Sequence, residues 1–68
     1  METVFIPATE VASQIGVDMP SFREYAKRKT DPLPIRYLPG RRRYGFFIVS
    51  EIEEWMLRNT DLYAERDS

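Results

Sequence analysis

The stretch that decides the architecture runs Ala8-Thr9-Glu10-Val11-Ala12-Ser13-Gln14-Ile15-Gly16-Val17-Asp18-Met19-Pro20-Ser21-Phe22-Arg23-Glu24-Tyr25-Ala26-Lys27-Arg28. Ala8, Val11, Ala12 and Ile15 recur at i, i+3, i+4 and i+7, which marks one stripe of a helix, and Thr9, Glu10, Ser13 and Gln14 occupy its other side. Pro7 suits a first helical turn, where its missing N–H is not needed. Gly16 stops the helix, because glycine accepts the left-handed conformation just past a C-terminus. Val17 plugs the turn, and Asp18 is a good N-cap for a second helix that carries Pro20 in its first turn. Met19, Phe22, Tyr25 and Ala26 share the inner side of that helix, while Arg23, Glu24, Lys27 and Arg28 lie outside with Ser21 near the edge. Helix, tight turn and cationic second helix form a helix-turn-helix arrangement. Asp31-Pro32 and Pro34 prevent the second helix from passing far beyond Thr30.

Outward from this pair, Val4–Pro7 is a short apolar lead-in expected to pack on the core. Ile35–Leu38 and Arg43–Ile48 are aromatic and β-branched runs on either side of a Pro39-Gly40 turn, which predicts a two-stranded hairpin with Arg41, Arg42 and Arg43 at its tip. Gly45 within the second run signals a bulge or a close backbone approach. Ser50-Glu51-Ile52-Glu53 fits a capping box, with Ile52, Trp55 and Met56 as the inner stripe of a third helix. That helix either continues to about Ala64, with Asn59, Leu62 and Tyr63 beneath the stripe, or gives way to an irregular packed tail. Phe22, Tyr25, Trp55 and one of Phe46 and Phe47 belong to the core. The expected fold is α+β: three helices with a hairpin between the second and third, one domain over residues 4–64, and a frayed tail at 65–68.

The 68 residues suffice for one small domain, with 43% apolar residues. Cysteine and histidine are absent, which excludes disulfides and Cys or His nucleophiles. No phosphate-cradling Gly-rich loop or metal-spaced ligand set occurs, and Glu51, Glu53 and Glu54 diverge around a helix start. The reading is a binding module rather than an enzyme, with no cofactor and no metal. No apolar run approaches the roughly 18 residues that cross a bilayer, and a leaderless, cysteine-free chain reads as cytoplasmic.

The formal net charge is −1, but its distribution is uneven. Arg23, Lys27, Arg28, Lys29, Arg36, Arg41, Arg42 and Arg43 face only Glu24 and Asp31 in the middle of the chain, a local balance of +6. The remainder carries two cations against nine carboxylates, or −7. Screening confines such fields to about 8–10 Å, so the middle acts as a basic surface suited to a polyanion. The acidic start of the third helix should face away from it. Aromatic residues beside the arginines also admit base stacking, but a two-stranded hairpin is a poor platform and the small core needs its aromatics inside.

Ile6–Val17, with Thr9, Glu10-Val11-Ala12 and Ile15-Gly16-Val17, resembles the opening of small MerR-like winged helix-turn-helix domains, the group that includes excisionases and AlpA-like regulators. Pro34–Tyr44 resembles the arginine-rich wing of that group, and Ser50–Met56 its closing helix. The resemblance spans roughly residues 4–58. Pro7 stands where the group has a Ser/Thr cap, Gly40–Ser50 is about two residues longer, and the second helix diverges most. The resemblance implies a sequence-specific double-stranded DNA-binding protein, excisionase-like, which bends DNA and directs an integrase or recombinase toward excision. A transcriptional regulator of the same group, or a protein-interaction module with a basic docking face, are the alternatives. In the DNA-binding reading Ser21, Arg23, Glu24, Lys27 and Arg28 face the major groove. Arg23 reads a base, Lys27 and Arg28 hold phosphates, and Glu24 either accepts from a cytosine or pairs with Arg28. Arg41, Arg42 and Arg43 contact phosphates or a minor groove, and strand alternation allows two of the three to point the same way. Cooperative self-association on DNA, through Leu57, Leu62 or Tyr63, would raise the affinity of so small a module.

Overall fold

Two three-residue strands, distant in sequence, organise the molecule. The computed structural model describes residues 2–41, 43 and 45–66. Its elements are β1 (Phe5–Pro7), α1 (Ala8–Ile15), α2 (Met19–Ala26), β2 (Phe46–Ile48), α3 (Val49–Asn59) and the single turn α4 (Tyr63–Arg66). β1 and β2 pair antiparallel, with Phe5 opposite Ile48, Ile6 opposite Phe47 and Pro7 opposite Phe46. This is an α+β chain with a two-stranded sheet, but the strands differ from those expected.

Within the Val4–Pro7 lead-in, Phe5–Pro7 is itself a strand, and it takes the edge of β2 that a local hairpin does not use. Ile35–Leu38 contributes a single antiparallel bridge, in which Arg36 and Phe46 exchange main-chain hydrogen bonds of 2.8 and 2.9 Å. Pro34 and Pro39 bracket this segment and offer no N–H for a longer ladder. Gly45 allows the close approach its position suggested: a Cβ there would lie 2.7 Å from two Ile35 side-chain atoms and 3.1 Å from the Tyr37 ring.

Both strands run directly into helices, and the sheet caps them. Ala8, the first residue of α1, donates its N–H to the Gly45 carbonyl at 3.0 Å, and Val49, the first of α3, donates to Val4 at 2.9 Å. Neither Pro7 nor Ile48, the N-cap residues, makes a side-chain cap. The capping box expected at Ser50 and Glu53 is therefore absent: α3 starts one residue before Ser50, and the partner strand satisfies an N–H that a cap would otherwise serve. Pro7 likewise precedes α1, closing β1 at the edge.

The turn between the first two helices follows the sequence reading. Gly16 sits at φ 74°, and Asp18 accepts from the Ser21 N–H at 3.1 Å, which holds its carboxyl below the usual range. α2 stops at Ala26, within the limit that Asp31-Pro32 sets, so that Lys27 and Arg28, expected on its outer face, lie past its last residue. Asp31, at φ 49°, reverses the chain.

Ala8, Val11, Ala12, Phe22, Leu33, Phe47, Ile52 and Trp55 form the core. The Phe22 and Phe47 rings meet edge to face at 5.7 Å, joining α2 to the sheet. Alternation resolves the Phe46/Phe47 pair: Phe47 is fully buried, while Phe46 turns to the outer face and meets Phe5 at 5.9 Å. Tyr25, expected inside, is half exposed and lies edge-on to Trp55 at 6.0 Å. Ile15 is also half exposed. The third helix ends at Asn59 with Thr60 in extended backbone, and its hydroxyl and N–H both donate to the Met56 carbonyl. Leu62 and Tyr63 consequently leave the stripe and stand exposed at and before α4, which also includes Glu65 and Arg66.

Candidate nucleic-acid interface

Of the cationic residues singled out in the sequence, Arg23 lies in α2, Lys27 caps its C-terminus, Arg28 follows the helix, and Arg41 and Arg43 lie between Arg36 and Phe46. Ser21 lies in the first turn of α2, exposed, with its main-chain N–H taken by Asp18. Arg23 is exposed and has no ion pair among the described residues. Glu24 meets Lys27 rather than Arg28, at 3.7 Å. This is a solvent-exposed pair that contributes little to stability.

Arg28 departs from the expected outer face because α2 has already ended. Its Nη1 donates to Asn59 Oδ1 at 3.0 Å, and its guanidinium carbon lies 5.9 Å from the Trp55 ring centre. One of five guanidinium donors is thereby used, and the charge is retained because Asn59 is neutral.

The chain reversal after α2 is bolted to α3. Asp31 accepts from Arg58 Nη2 and Nε at 2.9 and 3.0 Å and from Asn59 Nδ2 at 2.8 Å. The Arg58 and then the Asn59 hydrogen bonds bring its carboxyl down to about 2. Its main-chain carbonyl accepts the Trp55 indole N–H at 2.8 Å. These roles for Asp31, Arg58 and Asn59 escaped the sequence reading. The available signal was a buried tryptophan that needs an acceptor, beside an Asp-Pro turn.

Arg36 does not belong to the free basic surface. Its Nε and Nη2 clasp Glu51 at 2.8 and 2.7 Å, raising the arginine and lowering the glutamate. Arg36–Glu51 and Arg58–Asp31 thus tie the basic middle to acidic α3, and each cancels one charge of either sign. Among the described residues, Arg23, Arg28, Lys29, Arg41 and Arg43 remain exposed without a carboxylate partner.

Arg41 follows a β-turn in which its N–H donates to the Leu38 carbonyl at 2.9 Å, with Gly40 at φ 78°. Arg41 and Arg43 occupy a loop and not a strand, so strand alternation does not govern their directions. Arg42 lies outside the described residues. The loop's base is anchored by the Arg36–Phe46 bridge, and the neighbouring Phe47 packs on Phe22 of α2. The helix and the loop are in this way mechanically linked.

Among the described residues there is no group of His, Cys, Asp or Glu that could hold a metal, and no helix is long and apolar enough to cross a membrane. No family model matches the chain, and neither a curated protein nor a solved structure does.

Proposed function

We propose that this chain binds double-stranded DNA sequence-specifically as a small winged helix-turn-helix module, with α2 as the reading helix and the 37–45 loop as the wing. One observation carries the reading: once internal ion pairs are set aside, the cations left over among the described residues are Arg23, Arg28 and Lys29 at α2 and its exit, and Arg41 and Arg43 on the loop. A helix of eight residues is about 12 Å long. An α-helix is about 10–12 Å across with its side chains, which suits a major groove about 12 Å wide. Ser21 stands in the first turn of α2 and Arg23 in its last, and Arg23 can hold guanine O6 and N7 with two parallel hydrogen bonds. Glu24 and Lys27 exchange their weak mutual pair for base and phosphate contacts. Arg28, steadied by Asn59 and Trp55, offers its remaining donors to a phosphate. Arg41, Arg42 and Arg43 neutralise an adjoining phosphate strand or enter a narrow minor groove. The resemblance carries the reading further, to an excisionase-like factor that bends DNA for an integrase.

The test is selection of bound sites from random duplexes, followed by anisotropy titrations with variants. Arg23→Ala should relax preference at one base pair by roughly 1–3 kcal/mol. Arg43→Ala should weaken all duplexes alike and reduce the salt slope by about 0.9. Absence of any enriched site, or two variants that bind as the parent does, overturns the reading. An excision assay with the cognate integrase tests the further step.

A further inference from the structure

We propose that the cleft between α1 and α3 is a docking groove for an amphipathic helix of a partner protein, one whose apolar stripe is flanked by lysines or arginines. Val11 and Ile15 of α1 and Ile52, Met56 and Leu57 of α3 line an open groove of about 440 Å³. Leu57 is 82% exposed there, an unusual state for a large aliphatic side chain beside other apolar ones. Glu53 stands on its rim and is shared with an adjoining cleft that adds Glu2. Among the described residues no lysine or arginine lines either cleft, and neither Glu2 nor Glu53 has an ion pair.

The occupant follows from this combination. Two helices with an apolar furrow between them accept a third by ridge-and-groove packing, the helix-in-groove mode of recognition. The unpaired carboxylates on the rim call for cations flanking the apolar stripe. They also repel nucleic acid and anionic lipid. A second copy of this chain is a poor fit. Its exposed Leu62 and Tyr63 lie beside Asp61 and Glu65, and the nearby Arg66 is already 3.5 Å from Asp61. Its helix α2 carries Arg23 against Glu24 and commits Phe22 to its own core. The inference does not depend on DNA binding, and its test uses no DNA.

A displayed library of helical peptides, panned against the intact chain, provides the test. The enriched sequences should carry apolar residues at i, i+3, i+4 and i+7 with lysine or arginine on both flanks. A synthetic peptide of that sequence should shift the amide resonances of Ile15, Ile52 and Leu57 and leave Arg23 unmoved. Leu57→Glu should weaken it about tenfold even though the variant adds negative charge. Glu53→Gln should weaken it about threefold and make binding less salt-dependent. Circular dichroism of both variants checks that the fold is kept. Failure to enrich any peptide, enrichment of acidic or unpatterned peptides, or equal or tighter binding to Leu57→Glu overturns the proposal. So does sedimentation showing self-association that Leu57→Glu abolishes, since that assigns the groove to a second copy.

Discussion

Trp55 donates its indole N–H to the main-chain carbonyl of Asp31 at 2.8 Å, across 24 residues of sequence. The contact joins the core of α3 to the chain reversal behind α2. The Asp31 side chain then grips Arg58 and Asn59 one turn further along the same helix. Backbone and side chain of one residue thus set where α2 ends relative to α3. An aspartate serves this place well, because Asp tolerates the left-handed φ of 49° better than most residues do.

Acid should loosen this joint over a defined interval. The Asp31 carboxyl sits at about 2, below an unfolded value near 3.9. The unfolded chain therefore takes up its proton first as pH falls. The stabilising contribution is fully present above about pH 4 and is lost as pH approaches 2. Glu51, lowered by Arg36, adds in the same direction. Asp31→Asn keeps the backbone preference and removes the charge. Thermal melts of parent and variant should differ at pH 7 and converge toward pH 2; curves that stay equally separated would contradict the assignment.

Phe47 and Phe46 are adjacent yet should respond differently. Phe47 is 0% exposed, so Phe47→Ala should cost about 3–5 kcal/mol. A domain this small holds only roughly 3–5 kcal/mol in total, and that variant should be largely unfolded by far-UV circular dichroism at 25 °C. Phe46→Ala loses an outer-face contact with Phe5, of order 1 kcal/mol, and should still fold. Urea titrations distinguish the two.

Gly45 supports a close approach that a methyl group would obstruct. Gly45→Ala places a Cβ 2.7 Å from Ile35 Cδ1 and Cγ1, and should destabilise by about 1–3 kcal/mol. Shortening Ile35 opens that space. The double variant Gly45→Ala/Ile35→Ala should therefore be less destabilised than the two single changes added together, as measured by urea midpoints in a double-mutant cycle.

Arg36 and Arg41 separate structural from binding cations. Removing Arg36 together with Glu51 leaves net charge unchanged, because the two neutralise each other at 2.7 Å. Arg36→Ala/Glu51→Ala should lower the melting temperature and leave duplex affinity within about twofold. Arg41→Ala should leave the melting temperature unchanged, weaken binding to every duplex, and flatten the salt dependence by about 0.9. Anisotropy titrations across a salt series read both.

The first two helices and their turn were readable because each signal acts within a few residues: the stripe from Ala8 to Ile15, Gly16 at φ 74°, and Asp18 bonded to Ser21. Composition and the clustering of cations in the chain's middle were equally plain. Four outcomes depended on partners far away in the chain. β2 forms its ladder with Phe5–Pro7 and only a single bridge with its nearest neighbour, and the neighbouring main-chain bonds cap α1 and α3. Arg36 is spent on Glu51, and Arg28 is drawn to Asn59. Leu57 and Ile15 keep their apolar side chains exposed at a groove between two helices. Local spacing registers what a residue prefers within one turn or one strand. Which carboxylate neutralises an arginine, or which edge a strand takes, depends on groups brought close by folding, and only a three-dimensional arrangement holds that information.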